Sequence, residues 1–338
     1  MKTKTATLSE VARAAGVSTA AVAKVMYNSR GNTRVGKEKA ELIRKIACEM
    51  NLAPNPAARA LRTGKTRMIG FLSGGAAGEI RVRTMTELTR ILEEKDYQII
   101  FRPSNHYETL YDFAGTLAAN CDAVVADVPF VKGVFPAACA DKLLILTSDE
   151  KAQECGYPVI RYDHASGVKA ALEYLHQLGH RKIVMLSINW WNNRDNARVR
   201  AFEKYTCSLG FEYSPIEYLA ETVEEVSTEQ LAELLKKHSQ ATAVFCVCDV
   251  LALRVLQTAN SLGIKVPQEL SVMGFDDIGA AKLSIPALTT VRQPNKEVAE
   301  AAVSYLMNKL ENADEKVDFA PQCRLVIRKS TDIPNKKL

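Results

Sequence analysis

Apolar and polar positions follow two different rhythms along the chain. From residue 68 onward, short apolar runs alternate with helical patterns. The apolar runs are Met68–Ser73, Tyr97–Phe101, Ala123–Ala126, Leu143–Leu146, Lys182–Ile188, Ala243–Val247 and Leu270–Phe275. The helical patterns fall near residues 82–95, 107–119, 166–178, 195–209, 226–238, 249–262 and 295–312. Several runs are continuously apolar, which is typical of parallel strands buried on both faces. The alternation predicts an α/β domain with parallel sheets in two lobes, at about 68–162 and 163–290, with the chain crossing back near its end.

The first 53 residues show a helical rhythm only, and we expect an all-α head there. Thr7-Leu8-Ser9-Glu10 fits the Ser/Thr-x-x-Glu capping box that opens a helix. Gly16 is suited to end that helix because glycine adopts positive φ easily, and Ser18 can cap a second helix directly afterwards. A third helix is predicted near residues 37–50. Two short helices joined by a tight glycine turn predict a helix-turn-helix, with a plain helical hairpin as the alternative.

The second helix of a helix-turn-helix lies in the major groove of DNA, with its early residues at the base edges. We expect Thr19, Ala20 and Ala21 to face the bases, and Lys24 to do so one turn later. The alanines offer methyl contacts only, whereas Lys24 reaches guanine acceptors or phosphate as a point charge. The inner face of this helix is predicted to hold Val22, Val25 and Met26.

Residues 54–67 are predicted to form a hinge with one short helix. Pro54 and Pro56 stop the preceding helix, and Asn55 can cap the new one. One or two turns are too short to be stable alone in water, so we expect a segment that orders on DNA. Leu61 can then wedge between base steps in the minor groove. An inert linker is the alternative.

Positive charge is concentrated at the N-terminal end of the chain. Residues 1–67 carry 14 Lys and Arg against 4 Asp and Glu, a net of +10, whereas the remainder carries 30 against 35, a net of −5. A basic head on a mildly acidic body favours a polyanion as the partner of the head alone, with a solvated basic face as the alternative.

Composition favours a globular protein of a reducing compartment. Apolar residues make up 47% and charged residues 25% of the 338 residues, and no run of about 18 apolar residues predicts a membrane span. The close cysteine pair, Cys246 and Cys248, is predicted to point to opposite faces of a strand, which suits neither a metal nor a disulfide. No apolar stretch follows Lys2 and Lys4, so we expect no secretory signal and a cytoplasmic location with reduced thiols.

Two strings in the N-terminal part resemble a known family. Residues Thr7–Ser18 and Pro54–Leu61 are similar to the corresponding motifs of the lactose-repressor/galactose-repressor family of bacterial transcription regulators. The resemblance implies a homodimer whose two heads bind a near-palindromic operator through a paired hinge helix. Residues 21–24 and the long loop 27–33 depart from the family pattern, so the operator sequence stays open.

The same resemblance assigns roles within the head. Thr19, Ala20 and Lys24 match base-reading positions. Leu61 matches the leucine that pries open the central base step, and Ala58 matches the hinge residue beside it. The DNA-binding residues that we predict are Thr7, Ser18, Thr19, Ala20, Lys24, Asn28, Asn55, Ala58 and Leu61.

Strings in the body resemble the same family and imply a periplasmic-binding-protein-like fold with a small-molecule effector, sugar-like in chemistry, between the lobes. By position, Arg198 matches the arginine that grips the effector and Asp249 matches the effector-binding aspartate. Gln293 lies where some members line the pocket. The matching strings are residues 241–249, 266–278 and 286–294.

Residue chemistry alone also favours a ligand cleft at the carboxyl ends of the strands. Arg198 and Asp249 offer charge-assisted hydrogen bonds to a polyhydroxylated or base-like ligand, although Asp249 also fits an N-cap. Trp190 and Trp191 follow a strand and offer flat apolar faces to a sugar ring, with core packing as the alternative. Asp163 follows another strand and is a further candidate.

The first lobe departs from the family pattern, which leaves the identity of the effector open. Residues Gly74–Glu79 stand where an Asn-Pro-aromatic stretch is usual, and Cys248 replaces an asparagine. The glycine cluster is not Gly-x-Gly-x-x-Gly, the histidines lack metal-site spacing and no nucleophile motif occurs, so we expect neither cofactor, nor metal, nor enzyme activity.

Two alternative functions are weighed against a regulator. One is an exported sugar-binding component, which needs an export signal, and the other is an enzyme, which needs a nucleophile–base pair in the cleft. Activation or repression stays open, and a dimer is favoured because no heptad tail follows Lys329.

Overall fold

The chain folds into two compact units, residues 1–66 and 67–338. The structure, a computed structural model, describes residues 6–27, 33–52, 60–61, 63–74, 78–104, 107–128, 135–189, 196–311 and 317–335. Over these ranges, no helix combines the length and apolar character that crossing a membrane requires.

Three helices lie in the described residues 6–27 and 33–52 of the first unit, as predicted. They are α1 (Leu8–Ala14), α2 (Thr19–Tyr27) and α3 (Lys37–Glu49). Together they enclose a small core of Val11, Ala12, Val22, Ile43 and Ala47. A core this small holds three short helices together because each contributes an apolar stripe at helical spacing.

The first lobe of the second unit contains a parallel six-stranded sheet. Its strands are β1 (Met68–Gly74), β2 (Gln98–Ser104), β3 (Ala123–Asp127), β4 (Leu143–Thr147), β5 (Val159–Arg161) and the late strand β11 (Asp318–Phe319). Their spatial order is β11-β5-β4-β3-β1-β2. The helices of this lobe are α4 (Glu79–Glu93), α5 (Tyr107–Asn120), α6 (Ala137–Ala140) and α11 (Asn295–Leu310). Side chains of α4 and α11 pack on one face of the sheet, and those of α5 pack on the other.

The second lobe contains a parallel four-stranded sheet. Its strands are β6 (Ile183–Ser187), β7 (Ile216–Tyr218), β8 (Ala243–Cys246) and β9 (Ser271–Met273), in the spatial order β7-β6-β8-β9. The helices are α7 (His164–Leu178), α8 (Ala197–Leu209), α9 (Thr228–Lys237) and α10 (Asp249–Ser261). The two-lobed parallel architecture predicted from the alternating pattern is confirmed.

Within the described residues, the chain passes between the lobes three times. The passages follow β5, precede α11 and lie between β11 and β12, where β10 (Thr290–Arg292) and β12 (Arg324–Val326) form a small antiparallel sheet. Strands β3, β4, β6 and β8 are buried along their whole length, which explains their continuously apolar sequences. Helix α4 begins at Glu79 rather than near residue 82, because Gly78 takes the N-cap position without a side-chain cap that the sequence would reveal.

Candidate functional sites

Local signals fix the turn between α1 and α2. The Thr7 hydroxyl accepts a hydrogen bond from the Glu10 backbone N–H at 3.3 Å, and the Glu10 carboxylate accepts one from the Thr7 backbone N–H at 2.7 Å. This completes the predicted capping box. Gly16 adopts a φ of +61°, a left-handed conformation that favours glycine. Ser18 then caps α2 by accepting a hydrogen bond from the Ala21 N–H at 3.2 Å.

The amino end of α2 presents a narrow exposed face. The exposed residues are Ser18, Thr19 and Ala20, and Lys24 follows half-buried one turn later. Ala21 is only 8% exposed, so the prediction that it faces the bases was wrong. It shares a side of the helix with Val25, which packs against the core of the head. The part of α2 that a partner can reach is therefore narrower than the sequence indicated.

Several predicted site residues lie outside the described part of the chain. They are Asn28, Asn55, Ala58, Trp190 and Trp191. Leu61 is described, and its side chain is 90% exposed. An exposed leucine keeps its full apolar surface for burial against another molecule.

Arg198 lies at the centre of a buried polar cluster in the second lobe. Asn196 caps α8 by accepting a hydrogen bond from the Arg198 N–H at 3.0 Å, which places Arg198 in the first turn of the helix. The guanidinium is also 4.0 Å from the centre of the Phe275 ring. It donates hydrogen bonds to the Val247 carbonyl oxygen at 2.5 Å, to His164 Nδ1 at 3.3 Å and to Asp276 Oδ1 at 3.1 Å.

Asp276 is the carboxylate that brings the predicted residues Arg198 and Gln293 together. Its Oδ1 accepts hydrogen bonds from Arg198 Nη2 at 3.1 Å and from Gln293 Nε2 at 2.6 Å. Burial raises the pKa of Asp276, and the nearby Arg198 and Gln293 act in the opposite direction. Sequence analysis did not identify Asp276, although the acidic pair Asp276-Asp277 directly after a predicted strand was an available signal.

His164 completes this cluster as a neutral side chain. Burial and the neighbouring Arg198 hold the pKa of His164 well below its ordinary value. Because Nδ1 accepts a hydrogen bond from Arg198, the ring proton belongs on Nε2, which donates to Gln293 Oε1 at 3.1 Å. The donor and acceptor in each of these hydrogen bonds are therefore defined. Sequence analysis did not identify His164 either.

Asp249 is completely buried and does not cap α10. The N-cap residue is Cys248, so the N-cap interpretation of Asp249 was wrong by one position. One Asp249 oxygen accepts a hydrogen bond from the Ile278 N–H at 2.8 Å, and the other accepts a short one from the Thr290 hydroxyl. Burial raises the pKa of Asp249 to about 7, and Asp276 raises it further in the same direction. Asp249 thus anchors the loop that carries Asp276, and direct contact with an effector stays a prediction.

Asp163 lies where the chain first passes between the lobes. Its carboxylate accepts a hydrogen bond from the Ser166 N–H at 2.9 Å and so caps α7. Its backbone forms a bridge with Gln322 on another passage of the chain. The described contacts therefore show a structural role, and its role toward an effector stays a prediction.

Side chains of helix α4 in the first lobe form hydrogen bonds with the loop that carries Asp276. Glu79 Oε1 accepts hydrogen bonds from the Gly279 N–H at 2.8 Å and from Arg83 at 2.5 Å. Arg83 also donates to the Asp277 carbonyl oxygen at 2.8 Å. These contacts join the lobes next to the Arg198–Asp276 pair.

No set of three His, Cys, Asp or Glu side chains in the described ranges is arranged to hold a metal ion. The eight cysteines are free thiols. Burial raises the pKa of Cys248, beside the cluster, to about 12, so this thiol stays protonated and unreactive near neutral pH.

Two family profiles match separate parts of the chain. Residues 7–55 match the profile described as bacterial regulatory proteins, lacI family. Residues 172–331 match a periplasmic binding protein-like domain.

Curated relatives match nearly the whole chain. A HTH-type transcriptional regulator of Bacillus subtilis, YvdE, is 30% identical over 96% of this chain and 99% of its own length. The ribose operon repressor of Haemophilus influenzae is 28% identical over 92% of this chain and 93% of its own. The transcriptional repressor PurR of Vibrio vulnificus is 27% identical over 96% and 98%.

Solved structures share the fold. A lac repressor dimer bound to operator and the anti-inducer ONPF superposes with a TM-score of 0.80 at 22% identity, covering 97% of this chain and all of that chain. A lacI-family regulator from Arthrobacter in complex with lactose gives a TM-score of 0.69 at 22% identity, covering 78% and 99%. At these identities the likeness concerns the fold.

Proposed function

This chain belongs to the lacI family of bacterial regulatory proteins and is a DNA-binding transcription regulator; we propose that it is a homodimeric repressor controlled by a small sugar-like effector. One observation carries the proposal. The chain combines a helix-turn-helix whose α2 presents its amino end to solvent with a two-lobed domain whose lobes meet beside a buried Arg198–Asp276 pair.

We assign DNA contact to the exposed end of α2. In this assignment Thr19 and Ala20 contact base edges, and Lys24 contacts a base or a phosphate. Ser18 and Thr7 contact the DNA backbone. The exposure of Ser18, Thr19 and Ala20 supports the assignment. From the family resemblance, we add Asn28, Asn55 and Ala58, with Leu61 as the minor-groove wedge.

We assign the effector to the junction of the lobes in the second unit. Arg198, Asp276 and Gln293 provide donors and an acceptor that suit hydroxyl groups. Asp163, Asp249, Trp190 and Trp191 remain proposed members of this site from sequence. Support for a sugar comes from the relative named as the ribose operon repressor and from the related regulator solved with lactose.

We propose that the dimer uses an apolar surface of the second lobe. Leu283 is 76% and Ile285 96% exposed, and both follow the short helix Gly279–Lys282. A second copy of the chain can pack on these two neighbouring aliphatic side chains at low cost in desolvation, because neither carries a polar group. The lac repressor that shares this fold was solved as a dimer.

We propose further that the protein works in the cytoplasm, where bacterial DNA lies, and that it catalyses no reaction. The relatives are named as regulators and repressors rather than as enzymes. The described Arg198 cluster holds a neutral histidine whose Nδ1 is already occupied, which is unsuited to general-base chemistry.

The test is selection of bound duplexes from a random DNA pool at two salt concentrations. We expect a near-palindrome to be enriched, with affinity that falls with salt by a slope of about 0.9 per phosphate contact. Thr19→Ala is expected to change the selected sequence, because Thr19 stands at the exposed end of α2. Lys45→Ala on the exposed side of α3 serves as the control that removes a charge outside α2. Weak binding without sequence preference would contradict the proposal.

A further inference from the structure

Polar side chains gather at the carboxyl edge of the first-lobe sheet. Ser73 near the end of β1 and Asp127 at the end of β3 are direct partners in the parallel register, so their side chains stand on the same face. Tyr162 directly follows β5, and Arg81 lies in the first turn of α4. This edge belongs to the lobe that departs most from the family pattern in sequence.

Hydrogen-bonding capacity at this edge is unused within the described part of the chain. Ser73 Oγ and Arg81 Nε are both buried and have no hydrogen-bond partner there. Arg81 Nε is 3.8 Å from Asp127 Oδ1, which is an ion-pair distance but too long for a hydrogen bond. Buried donors without partners are costly, so their retention points to a group from outside that completes them.

A chain of hydrogen bonds holds Asp127 in place from the other side. The Tyr162 hydroxyl donates to Asp127 Oδ2 at 3.3 Å and is 3.3 Å from Thr84 Oγ1. Thr84 Oγ1 in turn accepts from Asn295 Nδ2 at 2.8 Å. The Oδ2 atom is therefore committed to the protein, whereas Oδ1 faces Arg81. Burial raises the pKa of Asp127, and Arg81 acts against this rise.

The positive and negative charges that the two lobes contribute at their junction balance. The first lobe contributes Arg81 with Asp127, and the second contributes Arg198 with Asp276. Arg81 also acts to lower the pKa of Asp276, so its positive charge is felt by the carboxylate of the other lobe. A phosphate or carboxylate placed between them would add uncompensated negative charge beside two buried aspartates, which is unfavourable. A neutral ligand rich in hydroxyl groups donates to the aspartates and accepts from the arginines without changing this balance.

We propose that Arg81, Asp127 and Ser73 form the first-lobe half of the effector site and select a neutral sugar over a phosphorylated or acidic one. The inference rests on the proposed function, because it takes the junction of the lobes as the effector site. Arg81 donates to a ring or hydroxyl oxygen, Asp127 Oδ1 accepts from the adjacent hydroxyl, and Ser73 completes the set. The second lobe then binds the opposite side of the sugar through Asp276 and Gln293.

The test is calorimetric titration of the full-length protein with a panel of named ligands. The neutral sugars are D-ribose, D-glucose, lactose, maltose and cellobiose. The phosphorylated or acidic members are D-ribose 5-phosphate, D-glucose 6-phosphate and D-gluconate, and the purine is adenine. The neutral ligand that binds is then titrated against Arg81→Gln and Asp127→Asn. Arg90→Gln is the matched control, because Arg90 lies on the same helix but is exposed and pairs with Glu87 and Glu94. Thermal unfolding of every variant checks that it is folded.

We expect a neutral sugar to bind, Arg81→Gln and Asp127→Asn each to weaken it about tenfold to a hundredfold, and Arg90→Gln to leave it unchanged. Binding only by the phosphorylated, acidic or purine members, or by none of the panel, would overturn the inference. So would unchanged affinity in folded Arg81→Gln. Operator binding without sugar, measured in the same preparations, separates this failure from failure of the proposed function, since Arg81 and Asp127 lie outside the head.

Discussion

The buried carboxyl of Asp249 predicts that part of the stability of the second unit is lost as pH rises. In the folded chain the pKa of Asp249 is raised to about 7, chiefly by burial, whereas an unfolded aspartate has a pKa of about 3.9. Between these values the folded state holds a proton that the unfolded state has released. The folded state is therefore favoured most below pH 4 by this group, and the advantage disappears as pH rises through 7.

The magnitude follows from the gap of about 3 pH units, at about 1.4 kcal/mol for each unit. Ionisation of Asp249 alone is expected to lower the free energy of unfolding by about 4 kcal/mol as pH rises from below 4 to above 7. About 2 to 3 kcal/mol of this is lost between pH 5 and pH 7. The lowered pKa of His164 acts in the opposite direction, so the wild-type curve alone does not isolate Asp249. A comparison with Asp249→Asn does, because asparagine does not titrate.

The assay is urea unfolding at pH 5, 6 and 7, followed through the change in secondary structure of the effector domain. The free energy of unfolding of wild type minus that of Asp249→Asn is expected to fall by about 2 kcal/mol or more from pH 5 to pH 7. Asp112→Asn, an exposed carboxylate on α5, is the matched control and is expected to follow wild type at each pH. If wild type and Asp249→Asn lose or gain stability in parallel, the reasoning about a protonated, buried Asp249 is refuted.

Three further outcomes are expected from single substitutions. Gly274→Ala should lower the free energy of unfolding by about 1 to 3 kcal/mol or more in urea titrations, because its Cβ would collide with the Asp249 carboxylate and lie 3.0 Å from Leu288; unchanged stability would show that this approach is not tight. Ile285→Asp should shift the protein from dimer to monomer in sedimentation velocity, since the 96% exposed Ile285 is proposed to be covered in the dimer; a dimer of undiminished stability would place the interface elsewhere. Leu61→Ala should weaken operator binding in fluorescence anisotropy without changing the melting temperature, because Leu61 is 90% exposed, and unchanged affinity would remove its role as a wedge.

The sequence predicts most reliably those features that short stretches determine. The capping box at Thr7 and Glu10, the positive φ of Gly16 and the cap by Ser18 each depend on residues within four positions, so the pattern was sufficient to find them. The orientation of Ala21 depended instead on which side of α2 the core would cover. Ala21 lies at the border of that side and is only 8% exposed.

The Arg198–Asp276 cluster was only partly predictable, because its contacts join distant parts of the chain. Arg198 bonds to Asp276 across 78 positions, and His164 to Gln293 across 129. Resemblance to the family supplied Arg198 and Gln293. The acidic pair after the predicted strand was an available signal for Asp276, but its contacts with Arg198 and Gln293 depend on the folded position of the loop after β9. Asp249 shows the opposite case, since its place at a strand end was predicted while its complete burial was not.

The most direct test of the account is operator affinity measured by fluorescence anisotropy with and without the sugar that binds, in wild type and in Asp276→Asn. The account predicts that the sugar changes the operator dissociation constant of wild type at least fivefold and that Asp276→Asn binds the same operator but no longer responds. An operator affinity that is the same with and without bound sugar in wild type would contradict effector control. A full response in folded Asp276→Asn would contradict the placement of the effector beside the Arg198–Asp276 pair.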